Sequence, residues 1–208
     1  NLGYILSSDL SIDKHILHTC RSAYTALRQI SSIRSYLTVS ATKVLVCAFV
    51  LSRIDYCNSL LAGCPKHAID KLQRIQNSAA RLVLRAKKRD HITPLLYSLH
   101  WLPVKARIEY KLSVLCHNFF SDSCPVYLSA LLSVYSPARN LRSSSDTRTL
   151  SIPRVRTKTF GERAFSFCGP KQWNSLPADI RSISNTDTFK KALKTYLFKL
   201  YYTDPVTG

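Results

Sequence analysis

Acidic side chains are scarce in this chain: 12 Asp and Glu stand against 30 Lys and Arg, and only Glu109 and Glu162 are glutamates. A carboxylate-held metal or an acid/base pair needs two or three acids brought together, whereas Asp9, Asp13, Asp55, Asp70, Asp90, Glu109 and Asp122 stand singly. Each reads as a cap or an ion-pair partner, and no catalytic residue is nominated. With 5 glycines there is no Gly-rich phosphate loop, no G-x-S-x-G and no GxGxxG. The longest apolar run lies near Val44–Leu51, far below the ~20 residues of a membrane span. Methionine is absent and the first residue is Asn1, with no charged-then-apolar leader. The expectation is a fragment that begins inside a longer reading frame.

Cysteine is present but unpatterned. The 7 cysteines (Cys20, Cys47, Cys57, Cys64, Cys116, Cys124 and Cys168) are odd in number and irregularly spaced, mostly in apolar settings where a free thiol behaves as a small hydrophobe. A reducing, intracellular setting, nucleus or cytoplasm, is expected rather than a disulfide framework. Cys57, Cys64 and His67 come nearest to a zinc arrangement, but without a C-x-x-C or a second cluster they read as core cysteines. His91 and His100 read as hydrogen-bonded structural residues.

What is present is a globular composition with an unusual charge. Over 208 residues, 46% hydrophobic against 20% charged supports a buried core, yet the net charge is +18. Self-repulsion on that scale points to a polyanionic partner. The excess is local: residues 65–111 carry +8 and residues 139–171 carry +6.

The apolar periodicity predicts a mainly α fold. Leu2–Leu6 reads as a short strand, and Ile12, Ile16, Cys20, Ala23, Leu27, Ile30 and Ile33 define a first amphipathic helix. Ser40 is the expected cap of a long, mostly buried second helix through Val44, Cys47, Phe49, Ile54 and Leu61, stopped by Gly63. Pro65 opens a third helix to about Ala86; Thr93–Pro94 and Leu102–Pro103 open two more, the latter running to about Phe120. Ser136–Thr159 is a basic linker, Ser151–Phe167 offers one or two short strands, and Pro170–Pro177 reads as irregular. A closing helix over 187–202 follows a cap at Asn185–Thr188. Trp101 and Trp173, each beside Leu and Pro, are expected as buried anchors. The domains expected are 1–8 (strand), 9–133 (helical) and 134–208 (basic linker, extension and closing helix).

The third helix carries the clearest functional signal. Ile69, Leu72, Ile75, Ala79, Leu82, Val83 and Ala86 gather on one side, with Lys71, Arg74, Arg81, Arg85 and Lys88 roughly opposite and only Asp70 and Asp90 nearby. Ordinary solvated faces interleave signs. A face of one sign suits phosphate-backbone contact, which is salt-dependent and blind to sequence. Arg139, Arg142, Arg154, Arg156 and Lys158 form a secondary basic block.

Six strings sharpen the reading: LGYILSSDLSIDKHI at 2–16, RIDYCNSLLAG at 53–63, KLQRIQNSAARLVL at 71–84, HITPLLYSLHWLPVKARI at 91–108, FGERAFSFCGPKQWNSLP at 160–177 and FKKALKTYL at 189–197. In this order they resemble the C-terminal region of the reverse transcriptase of LINE-type, non-LTR retrotransposons of the jockey-like group. The resemblance implies that 1–8 is a palm-associated strand, that 9–133 is a polymerase thumb-like helical bundle, and that the remainder is a C-terminal extension. It implies a thumb that holds an RNA/DNA template–primer by its backbone, next to an upstream palm domain. Residues around Cys57–Asn58, Gln76–Arg81 and His100–Pro103 would be packing and duplex-facing positions. The parent RNA-directed DNA polymerase would use Mg at palm aspartates of an F/Y-A-D-D motif. No such string occurs in these 208 residues. The chain is therefore expected to need no cofactor of its own and to be catalytically inactive by itself. The alternative is an exapted helical module whose basic face meets an acidic protein partner.

Overall fold

The computed structural model describes every residue except 1–2, 6, 9–10, 122, 137–147, 158–159 and 204–208. The chain is mainly helical, and among the described residues there is no strand, only an isolated antiparallel bridge between Val134 and Leu150. It divides into two compact units, 1–107 and 108–203. The division falls inside a helix, whereas the composition of the sequence shifts near 134.

In the first unit, α1 (Asp13–Ser32) buries His15, Ile16, Thr19, Ala23, Ala26, Leu27 and Ile30, one stripe at three- and four-residue steps. Of the strand expected at Leu2–Leu6, Leu2 and Leu6 lie outside the described residues and Gly3–Ile5 is not a strand. Gly3–Ile5 has no ladder partner among the described residues, and it is tied to α1 by the Tyr4 ring, 4.0 Å from that of His15, and by the Ile5 N–H donating to His15 Nδ1 at 3.4 Å.

The expected second helix needs three corrections. Its cap is Thr38, whose hydroxyl accepts from the Ala41 N–H at 3.1 Å, and α2 (Val39–Val46) passes through a wide π turn (Cys47–Leu51) into α3 (Ser52–Asp55). It stops there, well before Gly63, with left-handed Cys57 leading into a 3₁₀ turn over Asn58–Leu61. Nor is it mostly buried: Val44 is 63% and Phe49 52% exposed. The buried stripe is Thr42, Val46, Val50 and Ile54. Four-residue steps drift about 40° each in a regular α-helix. The wide turn takes back part of that drift, so all four stay on the packed side. Counting from Val44 follows the wrong stripe, because Thr42 looks polar; its hydroxyl is satisfied by the Thr38 carbonyl at 2.7 Å.

Next come α4 (Lys66–Leu84) with Pro65 as its cap, α5 (Ile92–Ser98) and α6 (Val104–Phe120). Two of these helices end on residues other than glycine in the left-handed region, Arg85 at φ 52° and His100 at φ 56°. After each, a backbone bond reaches back five residues, Ala86 N–H to Arg81 and Trp101 N–H to Leu96, both at 3.0 Å. Trp101 is buried.

In the second unit, α6 from Ile108 onward is joined by α7 (Val126–Ser129), α8 (Phe165–Asn174), α9 (Ala178–Arg181) and α10 (Thr186–Tyr202). Among the described residues of Ser151–Phe167 the expected short strands are not formed. The described residues there are irregular up to a 3₁₀ turn at Gly161–Arg163, and Pro170, expected in an irregular stretch, lies inside α8. Gly169, with no Cβ to meet the proline ring, eases the helical conformation before Pro170, and it packs tightly: a Cβ there would stand 3.0 Å from the Phe165 ring and 3.2 Å from Cys116 Sγ. Trp173 and Phe189 are fully buried, Phe189 stacks on His117 at 4.1 Å, and Trp173 Nε1 donates to the Arg148 carbonyl at 2.6 Å. Asn185 caps α10, accepting from Asp187 and Thr188 N–H groups at 3.0 and 2.9 Å.

Candidate nucleic-acid interface

The geometry of α4 follows from its amphipathic sequence. Leu72, Ile75, Ala79 and Val83 are buried, and Lys71 and Arg74 are exposed. Arg81 is half-buried and donates to the Asp90 carbonyl at 3.2 Å. Arg85, the left-handed cap residue, is exposed and donates to the Arg34 carbonyl at 3.3 Å. The helix ends at Leu84, so Lys88 sits in the following turn rather than on the helical face. In that turn the Asp90 carboxylate accepts from the Lys87 N–H at 2.7 Å. Among the described residues no ion pair reaches Lys71, Arg74, Arg81, Arg85 or Lys88.

Sequence reading missed Arg34. It is buried just past α1, and its guanidinium donates to the carbonyls of Leu82 at 2.9 Å, Val83 at 2.7 Å and Leu37 at 2.8 Å. A cation there satisfies carbonyls that a helix C-terminus leaves open and meets the negative end of its dipole. It also gathers Arg34, Arg81 and Arg85 at one helix end.

The same contact shows that α1 and α4 run in the same direction, since Lys71 near the start of α4 lies within electrostatic reach of Cys20 on α1. Burial pushes the Cys20 thiol up, and Lys71 opposes that shift. Between the two helices lies a cleft of about 750 Å³ lined from α1 by Leu17, Cys20, Arg21, Tyr24, Leu27 and Arg28 and from α4 by Ser78 and Leu82. At about 100° per residue, Lys71, Arg74, Arg81 and Arg85 all fall within about 60° of Ser78 around the α4 axis. The basic face therefore borders the cleft. Arg21 and Arg28 were legible only as one more helical spacing, seven residues apart.

Behind the face, a polar network holds α4 against the start of α6. Buried Gln76 donates to the Leu102 carbonyl at 2.8 Å and accepts from Gln73 at 3.0 Å, and Gln73 in turn accepts from the Val104 N–H at 2.8 Å. Arg107 donates to the same Leu102 carbonyl at 2.9 Å and pairs with Asp55 at 2.6 Å.

Of the secondary basic block, Arg154 and Arg156 are exposed in an irregular stretch of the second unit, while Arg139, Arg142 and Lys158 lie outside the described residues. None of the seven cysteines is in a disulfide, with Cys57 and Cys64 half-buried and His67 exposed. Among the described residues no three His, Cys, Asp or Glu side chains form a group that could hold a metal, and no helix is long and apolar enough to cross a membrane. Comparison of the chain with protein-family models, curated proteins and solved structures gave no match.

Proposed function

We propose that this chain is the nucleic-acid-binding thumb and C-terminal extension of a non-LTR retrotransposon reverse transcriptase, holding an RNA/DNA template–primer by its backbone and catalytically inactive by itself. The observation that carries the reading is the face of α4. It is packed on one side, and its other side presents Lys71, Arg74, Arg81 and Arg85 with no ion-pair partner among the described residues. The six quoted strings supply the family. In the parent polymerase an upstream palm domain would supply the Mg-binding aspartates, and this chain would supply grip in a reducing compartment of the cell.

Lys71 and Arg74 are the residues to change, because Arg81 and Arg85 also hold backbone carbonyls. The doubly substituted Lys71→Gln, Arg74→Gln chain should bind an RNA–DNA hybrid more weakly whatever its sequence, with the salt slope reduced by roughly 0.9 for each phosphate no longer neutralised. Fluorescence anisotropy across a salt series measures it, and an unchanged slope sinks the assignment.

A second reading, a helical module that binds an acidic protein, is favoured by the exposed apolar side chains of Val44, Phe49, Tyr56 and Leu60. A chain that ignores hybrid duplex at low salt yet binds a polyglutamate peptide belongs to that reading.

A further inference from the structure

The α1 wall of the cleft carries a pattern that backbone contact does not use. Tyr24 stands between Arg21 and Arg28 on one helical face, three residues after the first and four before the second. Its ring is 43% exposed, and among the described residues its hydroxyl has no hydrogen-bond partner. Leu17, 50% exposed, continues the apolar strip, with Leu27 and Leu82 below it. A half-exposed aromatic flanked by cations suits an unpaired base: the ring offers a stacking surface, and the guanidiniums meet the phosphates on either side. A paired duplex keeps its bases stacked inside and offers this cleft only its sugar–phosphate edge.

We propose that the α1–α4 cleft is a single-strand site, in which an unpaired nucleotide stacks on Tyr24 while Arg21 and Arg28 hold flanking phosphates from the α1 wall and Lys71 and Arg74 from the face of α4 that borders the cleft. The inference rests on the function proposed above and adds a preference to it: template or primer with an unpaired segment is held more tightly than blunt duplex. The charge of the cleft selects the occupant. Its α1 wall carries Arg21 and Arg28, its α4 border carries Lys71, Arg74, Arg81 and Arg85, and no acid lines it among the described residues. All of these residues belong to the first unit.

The test uses the full chain with two labelled probes, a twelve-nucleotide oligo(dT) and a blunt RNA–DNA hybrid of equal length. Tyr24→Leu should weaken oligo(dT) binding about tenfold, in keeping with a base-stacking contribution, and change hybrid binding less than twofold. Tyr24→Phe, which keeps the ring, should bind oligo(dT) like the unsubstituted chain. Photocrosslinking of a 4-thiothymidine version to the unsubstituted chain should place the adduct on the face of α1 around Tyr24, a readout independent of how the variants fold. The inference is overturned if Tyr24→Leu and Tyr24→Phe weaken binding equally, if both probes are weakened equally, or if the adduct maps away from α1. A polyglutamate peptide that displaces oligo(dT) at matched charge would give the cleft to a protein instead. If neither probe binds at low salt, the proposed function fails and this inference with it. Hybrid binding that needs Lys71 and Arg74, beside oligo(dT) binding indifferent to Tyr24→Leu, removes the inference alone.

Discussion

The two units bury different kinds of side chain. In the first, the buried residues of α1 and α4 are largely small and aliphatic, with Ala23, Ala26, Ala68, Ala79 and Ala80 beside Ile16, Leu27, Leu72, Ile75 and Val83. In the second, large rings join the aliphatic side chains of Leu112, Leu150, Leu193 and Leu197: Trp173, Phe189 and His117 are fully buried, and Trp173 stacks on Phe120 at 5.3 Å. Small side chains spread the packing over many positions, so no single one dominates, and an open cleft beside them costs little. A ring concentrates packing at one position, so the second unit holds single positions, Trp173 and Phe189, whose loss carries a large penalty.

The sharpest way to break the contrast is Trp173→Ala. A large-to-small change at a fully buried ring should cost about 3–5 kcal/mol, with the Arg148 carbonyl losing its indole donor as well. Urea unfolding followed by circular dichroism should show it. A loss no greater than that of Ala79→Gly, on the aliphatic side, would remove the comparison.

A smaller effect sharpens the aliphatic side by showing where it is not small and apolar. Gln76→Leu should cost about 1–3 kcal/mol, because Gln73 loses a hydrogen-bond acceptor and the Leu102 carbonyl keeps Arg107 alone. The urea midpoint should fall while helical content is retained. A midpoint equal to that of the unsubstituted chain would show that the network adds nothing.

The smallest effect is a pH dependence set by the aromatic side. His117 is held neutral chiefly by burial, with Arg148 and Lys190 adding to the effect and the Ile183 carbonyl, 2.9 Å from Nε2, opposing it. Its folded-state pKa therefore lies below the ordinary 6.5. Between those two values the unfolded chain binds more protons than the folded one, so this contribution is complete above about pH 6.5 and is lost as pH falls toward the folded value. His15 in the first unit shifts the same way, by burial and by His18. Replacing His117 by Gln should flatten part of the fall in stability between pH 7 and pH 5, and replacing His15 should flatten a further part. Stability curves of equal slope in both variants and the unsubstituted chain would contradict the assignment.

The mainly helical character was legible because residues 12–120 keep an apolar stripe at helical steps, punctuated by Pro or Ser/Thr. The closing helix was legible, with its cap placed within Asn185–Thr188 and found at Asn185. Trp101 and Trp173 were legible as anchors from their Leu and Pro neighbours. The second helix was not, because a π turn changes the period midway and propensity carries no sign of that change. Pro170 also misled: a proline reads as a break, yet it lies inside α8 after a glycine that has no Cβ to meet its ring. Of the candidate interface, Lys71, Arg74 and Arg81 were legible as a nearly one-sign face on α4, interrupted only by Asp70, while Lys88 falls past the end of the helix. Arg34 and Arg21 were not, because their meaning depends on which helix lies beside them, a fact of tertiary packing.

The wide turn at Cys47–Leu51 amounts to one extra residue lodged in a helix, and it acts as a register key for the residues downstream. Asp55 lies beyond it and meets Arg107 at 2.6 Å, while Arg107 also grips the Leu102 carbonyl. Shortening the turn by one residue would leave a smoother helix but rotate everything past it by about 100°, swinging Asp55 off its partner. The irregularity thus sets the azimuth at which the second helix delivers its one acid, and with it the seating of the Leu102–Pro103 corner behind the basic face.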